Sequence, residues 1–338
     1  MLRIWGARSL APIYPDKSNL PEPIGEAWLT GPECKIETGP LAGPLHQAWQ
    51  KMPSEWRGTD FASQQEPREF PILVKFLFPT DQLSIQVHPN DAYAKNNEPP
   101  GAVGKTEMWH AVYANPGATL LLGLVPEVDR NKFQSAIKQG GLESFFERLA
   151  VSPGDTFFVP SGTPHTIGQG MILCEVQQNS DLTYRLYDFH RVDAKGNPRE
   201  LHIEKAMAVI DFDHRKGGKV APVALSSAGA KQYLLAACQY FASERWDLAS
   251  QLHANSDPTR FELLVILSGR GNIKWRGDSC SYQQGECWFI PANLGEFSVV
   301  PERPTSILRT YVPVISKLLN NLSRGSMPNS AIEQVLFI

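Results

Sequence analysis

Short runs of β-forming residues, each closed off by proline or glycine, govern what this chain can fold into. They include "PILVKFLF", "LSIQVHP", "TEMWHAVYA", "ATLLLGLV", "DTFFVP" and "MILCEVQQ", then "ELLVILSG", "NIKWRG", "ECWFIP" and "FSVVP". The 26 glycines and 27 prolines are spread along all 338 residues rather than massed in one linker. Such frequent punctuation predicts a mainly β, largely antiparallel fold with many turns. Helix is expected to be minor. "DRNKFQSAIKQGGLESFFERLAV" reads as two short helices split by Gly140 and Gly141, a small helical insertion at about 130–150. "ELHIEKAMAVIDF" is a third candidate, with Ile203, Met207 and Ile210 on one face.

An internal repeat sharpens that expectation. "GDTFFVPSGTPH" (154–165) and "GECWFIPANLGEF" (285–297) share a glycine, an acid, hydrophobic strand positions and a closing proline. Two copies of one unit point to two barrels of one kind, β-sandwich or jelly-roll. The predicted division is 1–212 with the helical segment, 213–313, and a tail at 314–338. Five residues past the proline, the first copy has His165 and the second has Glu296. No H-x-H or Q-x-H accompanies the second copy, so only the first is expected to carry chemistry. The second is expected to be structural.

Composition narrows the function classes. Thirty-two basic residues against 35 acidic ones give a net charge of −3, without a basic cluster to track a phosphate backbone. Nucleic acid is therefore not an expected partner. No apolar run reaches membrane-spanning length, and "MLRIWGARSLAPIYPDK" lacks the apolar middle of a signal peptide. Cys34, Cys174, Cys238, Cys280 and Cys287 form no C-x-x-C, which favours reduced thiols. The expectation is a soluble cytoplasmic protein with no membrane partner; nothing in the sequence sets an oligomeric state.

The chemistry concentrates in three motifs. In "LSIQVHPND" (83–91), Leu83, Ile85 and Val87 are expected to point one way and Ser84, Gln86 and His88 the other. "GKTEMW" places Lys105, Glu107 and Trp109 on a shared face, and "PSGTPH" delivers His165 from a turn. Gln86, His88, Glu107 and His165 thus offer an amide oxygen, a carboxylate and two imidazoles. A borderline divalent cation such as Zn2+ accepts that mixture, and without a thiolate the site stays open to water or substrate. The plain alternative has His88 capping a loop and His165 hydrogen-bonded inside a core. "DLTYRLYDFHR" adds Arg185. It is either a guanidinium that grips an anionic or hydroxylated substrate, or half of a surface ion pair with Asp181 or Asp188. Lys105 and Ser84 stand likewise between a pocket role and an ordinary solvated or backbone contact.

With these motifs assembled, the chain resembles the type I mannose-6-phosphate isomerases (phosphomannose isomerases), of the short bacterial kind within the cupin superfamily. The matching stretches are "IGEAWLTG", "FPILVKFLFPTDQLSIQVHPNDAYA", "GKTEMWHAV", "GDTFFVPSGTPHTIGQGMILCEVQQNSDLTYRLYDFHR" and "LHIEKAMAVIDF". They end at about residue 212; the second half resembles the family more weakly, as far as "LRTYVP". The resemblance implies two cupin-type jelly-roll β-barrels, the first catalytic and the second structural. It implies one Zn2+ per chain, with other divalent metals able to serve, held by Gln86, His88, Glu107 and His165. It implies Arg185 as the active-site arginine, and Ser84 and Lys105 as lining of a sugar-phosphate pocket.

The implied activity is interconversion of mannose 6-phosphate and fructose 6-phosphate, in which a proton moves between C2 and C1 through a cis-enediol. Water, Glu107, Lys105 or a histidine are the candidate proton carriers. The phosphate is expected to be held locally by Ser84, Lys105 and a neighbour in "YDFHR". Departures from the family pattern are His190, where an acid or amide is usual, Leu29, where an acid is common, and the tail after Pro313. Two other readings compete. A metal-dependent cupin dioxygenase is disfavoured by Gln86, Lys105 and Arg185, and a non-catalytic sugar-phosphate-binding protein by the complete ligand set.

Overall fold

The computed structural model describes residues 1–60, 69–193, 195–213, 217–225, 230–325 and 327–338. Among the described residues antiparallel strands dominate, in two pairs of larger sheets and one small two-stranded sheet, with few helices. No helix among the described residues is long and apolar enough to cross a membrane, and the five cysteines are free thiols.

Two units emerge. The first comprises Met1–Ser9, Asn19–Ala27 and Lys75–Lys219, the second Leu10–Ser18, Trp28–Val74 and Val220–Ile338. The change at 219/220 lies near the division predicted at 212/213. Residues 10–18 and 28–74, predicted with the first half, cluster instead with the second. Trp49 packs edge-on against Phe261 at 5.5 Å, and the Tyr14 hydroxyl donates to the Gly285 carbonyl at 2.9 Å. The tail forms helices Ile315–Arg324 and Asn329–Ile332, with Leu322, Ile332 and Val335 buried.

In the first pair, the larger sheet runs Gly218–Val220, Thr156–Val159, Glu107–Ala114, Met171–Gln178, Ile72–Leu77, Glu26–Trp28. The smaller runs Tyr184–Tyr187, Ile85–Val87, His165–Ile167, Thr119–Leu124, Phe146–Ala150. Trp109, Phe157 and Leu173 from the larger meet Leu120, Leu122 and Ile167 from the smaller in one buried cluster. Strand alternation turns Ile85, Val87 and Leu121 to the opposite face. There they pack on helix Arg130–Gln139 through Phe133 and Ala136, and on helix Ile203–Val209 through Ala206 and Met207. Leu83 departs from the predicted alternation. It precedes the strand and joins Trp5 and Trp109 in the inter-sheet cluster, its carbonyl held by the Thr166 hydroxyl at 2.6 Å.

Of the two helices predicted across 130–150, only the first forms. Gly140 and Gly141 take φ values of 89° and 79°, and the chain passes through a short 3-10 turn into strand Phe146–Ala150. Leu149 stands opposite Leu120 there, so pairing with an apolar strand overrides the local helical spacing.

The second pair of sheets encloses Trp246, Ile266, Ile273, Tyr282 and Val299, and the sequence repeat is a structural repeat. Gly154 and Gly285 adopt φ values of 90° and 89°, a left-handed turn that suits glycine. The Gly154 amide donates to the Ala111 carbonyl at 2.7 Å and the Ala111 amide to the Asp155 carbonyl at 2.8 Å. Gly285, Ile266 and Glu286 repeat that exchange at 2.9 Å in both directions. Val159 then lies opposite Glu107, and Ile290 opposite Glu262. Register therefore equates Glu262 with Glu107, and Arg260 with Lys105. Glu262 meets a guanidinium: Arg309 forks onto it, with Nε 2.9 Å from Oε2, and reaches Glu244 Oε2 at 2.9 Å.

Candidate active site and metal centre

Strand register assembles the candidate ligands. In the smaller sheet His165 lies opposite both Gln86 and Leu122, and Arg185 lies opposite Gln86. Residues paired across antiparallel strands share a face. Arg185, Gln86 and His165 therefore form a row on the side that Leu122 turns into the inter-sheet cluster. In the larger sheet Glu107 lies opposite Val159 and Gln177, with Trp109 two residues along the same face. His88 stands just past the end of strand Ile85–Val87.

The distances are those of a ligand cluster. His88 Nε2 is 3.6 Å from Glu107 Oε2, and His165 Nε2 is 3.3 Å from Glu107 Oε1. The three residues are buried and offer ligand atoms within 4.8 Å of one another. The Gln86 amide sits 3.3 Å from His165 Nε2, and a half-turn about its last torsion presents its oxygen there. His88 Nδ1 donates to the Leu182 carbonyl at 2.8 Å and His165 Nδ1 to the Thr163 carbonyl at 2.9 Å. A carbonyl only accepts, so each neutral ring keeps its proton on Nδ1 and leaves Nε2 bare. Burial lowers both imidazoles, His88 to about 3, which keeps them neutral. His88 Nε2 is buried without a hydrogen-bond partner among the described residues. A buried, bare acceptor beside a carboxylate is costly unless a cation joins them, so the donor set fits a divalent ion. The loop-cap alternative leaves His88 Nε2 unaccounted for, while His165 has the Thr163 carbonyl at Nδ1 and the Gln86 amide at Nε2.

Behind the cluster runs a buried row of alternating lysine and glutamate side chains. Lys105 Nζ is 2.9 Å from Glu107 Oε2 and 3.4 Å from Glu175 Oε1, which lies 3.4 Å from Lys75 Nζ. Burial opposes the Lys105 charge, but Glu107 and Glu175 outweigh it and hold its pKa above the usual lysine value. Burial also opposes ionisation of Glu107, and Lys105 beside it holds that carboxyl well below the usual range. Glu175 goes the other way: burial pushes it up to about 8.

Comparison with known proteins settles the family. Residues 3–113 match the description "Phosphomannose isomerase type I, catalytic domain" and residues 231–307 "Mannose-6-phosphate isomerase, cupin domain". Over 303 residues the chain is 34% identical to "Probable mannose-6-phosphate isomerase GmuF" of Bacillus subtilis, covering 88% of this chain and 92% of that one. The chain belongs to the type I mannose-6-phosphate isomerase family. It is likewise 34% identical to "Mannose-6-phosphate isomerase" of Streptococcus mutans over 298 residues, covering 86% and 90% of the two chains. The crystal structure of the mannose 6-phosphate isomerase from Bacillus subtilis superposes with a TM-score of 0.82 at 28% identity, covering 92% and 96%. As a member of this family the protein is an isomerase, an intramolecular oxidoreductase.

In this isomerase Ser84, Gln86, Lys105, Glu107 and Arg185 line one cavity of about 430 Å3. Arg185 donates from Nε to the Ser84 hydroxyl at 3.2 Å and from Nη1 to the Glu200 carbonyl at 2.9 Å. Its backbone is clamped by His202, whose amide donates to the Arg185 carbonyl at 2.7 Å and whose Nδ1 accepts from the Arg185 amide at 3.3 Å. Neither Asp181 nor Asp188 pairs with it: Asp188 is taken by Arg191 and Arg199. Burial, then the nearby Arg199 charge, lowers the Arg185 pKa below the usual value.

The predicted "YDFHR" neighbour is not found, since no residue of 187–191 lines the cavity. Arg191 binds Asp188, Asp81 and the Gln82 carbonyl, and His190 is exposed. Lys75, Glu175, Arg3 and Arg199 line the cavity and were not singled out from sequence. A lone charge inside the apolar runs "PILVKFLF" and "MILCEVQQ" is the signal that marks the first two.

Proposed function

We propose that the chain interconverts mannose 6-phosphate and fructose 6-phosphate, with one divalent cation, zinc foremost, held by Gln86, His88, Glu107 and His165. One observation carries this reading: two buried imidazoles, each fixed through Nδ1, turn bare Nε2 atoms towards one ionised carboxylate. The names of the relatives supply the substrate class. Each pair of sheets is read as a cupin-type jelly-roll barrel, the first catalytic and the second structural.

The reaction moves one proton between C2 and C1, and negative charge gathers on the oxygens of a cis-enediol. A divalent cation in this site supplies Lewis-acid stabilisation of that charge. Arg185, braced by Ser84 and the Glu200 carbonyl, keeps Nη2 for the substrate, and its position is fixed before substrate arrives. A preorganised donor of this kind contributes on the order of 3 kcal/mol to the transition state. Lys105 is held protonated between Glu107 and Glu175 and adds a second fixed positive charge on the same wall. Trp109 and Leu83 exclude water from one side of the cavity and keep those charges effective.

The test is elemental analysis of protein purified without added metal, paired with a coupled assay on mannose 6-phosphate before and after chelation. Loss of turnover on chelation and its return with zinc is the expected result. Full turnover in stripped protein overturns the metal assignment, and no turnover in metal-replete protein overturns the isomerase assignment.

A further inference from the structure

We infer that Arg3 and Arg199 grip the phosphate group of the substrate, an inference that rests on the sugar-phosphate reading above. Both line the same cavity as Arg185, Lys105 and Glu107. Each is anchored in the same manner. Arg3 uses Nε and Nη2 to fork onto Glu26 at 3.0 and 3.1 Å. Arg199 uses Nε, at 2.7 Å, and Nη2 to fork onto Asp188. In both, Nη1 has no partner among the described residues. Arg185 spends Nε and Nη1 and keeps Nη2.

The anchoring Glu26 and Asp188 side chains are 9% and 6% exposed, while the arginine side chains are 27% and 24% exposed. The forks are thus fixed from behind and remain reachable from the cavity. Five basic side chains, Arg3, Lys75, Lys105, Arg185 and Arg199, line the cavity against the four acids Glu26, Glu107, Glu175 and Asp181, and Asp188, which anchors Arg199, is shared with Arg191. Each spare nitrogen can meet one oxygen of a phosphate dianion, the geometry for which guanidinium is suited. An ordinary surface ion pair would have no need of a cavity wall on its other side.

The test uses Arg3→Gln, Arg199→Gln and the double variant in metal-replete protein. KM and kcat are read on mannose 6-phosphate, and Kd for inorganic phosphate by calorimetry. Each single change is expected to raise KM at least tenfold and the double at least a hundredfold, with kcat within threefold and the phosphate Kd rising in step. Because Arg3→Gln takes the guanidinium fork away from Glu26, the paired change Arg3→Gln with Glu26→Gln is measured beside it and should show the same rise. KM and phosphate Kd within twofold of the parent, in variants that melt as the parent does, overturn the inference. If the parent itself does not turn over mannose 6-phosphate, the function reading falls while calorimetry still judges the arginines. Phosphate binding lost in the double variant upholds them; binding unchanged there, or absent from the parent, overturns them.

Discussion

Lys105 Nζ lies 2.9 Å from Glu107 Oε2 with both side chains almost wholly buried, so each charge depends on the other. Lys105→Met leaves Glu107 and Glu175 without the cation between them. Breaking a buried pair by removing one partner costs about 3–5 kcal/mol. Chemical denaturation should show a loss of that size, and turnover per folded molecule should fall at least a hundredfold.

His88→Ala and His165→Ala each remove one of the two bare Nε2 atoms beside Glu107. Elemental analysis should find about one divalent ion per chain in the parent and less than a tenth of that in either variant, after identical purification. Thr163 and Leu182 act on these rings through their carbonyls, so side-chain substitutions there should leave the metal content unchanged.

Arg185→Ala should keep the ion and lose at least a hundredfold in turnover, because Arg185 makes none of the contacts among the ligand atoms. Metal content equal to the parent, with turnover also near the parent, would remove Arg185 from the chemistry.

Asp188 gives the acid side of the stability profile. Burial pushes its carboxyl up, but hydrogen bonds from Arg199 and Arg191 outweigh that and hold it below the ordinary value of 3.8. A depressed folded-state pKa adds stability that is fully present above 3.8 and drains away as pH falls through the folded value. Asp188→Asn should therefore lower stability at neutral pH and flatten its decline below pH 3.8 in denaturant melts.

Much of the site was legible because strand alternation leaves a direct trace in sequence. Gln86 and His88 two apart, and Lys105, Glu107 and Trp109 in step, announce a shared face before any contact is known. Leu83 broke the pattern because the strand begins only at Ile85, leaving Leu83 free to turn into the inter-sheet cluster. Leu149 misled in the opposite sense: its helical spacing was genuine, but its partner Leu120 lies 29 residues back. Arg3, Arg199 and His202 left no trace. They reach the cavity or Arg185 through loop and terminal segments whose placement depends on distant partners such as Glu26 and Asp188. The claim of the second unit on residues 28–74 is hidden for the same reason, since Trp49 meets Phe261 across more than two hundred positions.

Arg309, forked onto Glu262 where the repeat sets Glu107 in the other copy, gives the second unit a counter-charge that is covalently part of the chain. Dialysis against a chelator cannot extract that guanidinium. Heating curves recorded with and without chelator should then split: the transition of the first unit moves to lower temperature, and that of the second stays where it was. Arg309→Met should reverse the asymmetry, lowering the transition of the second unit instead.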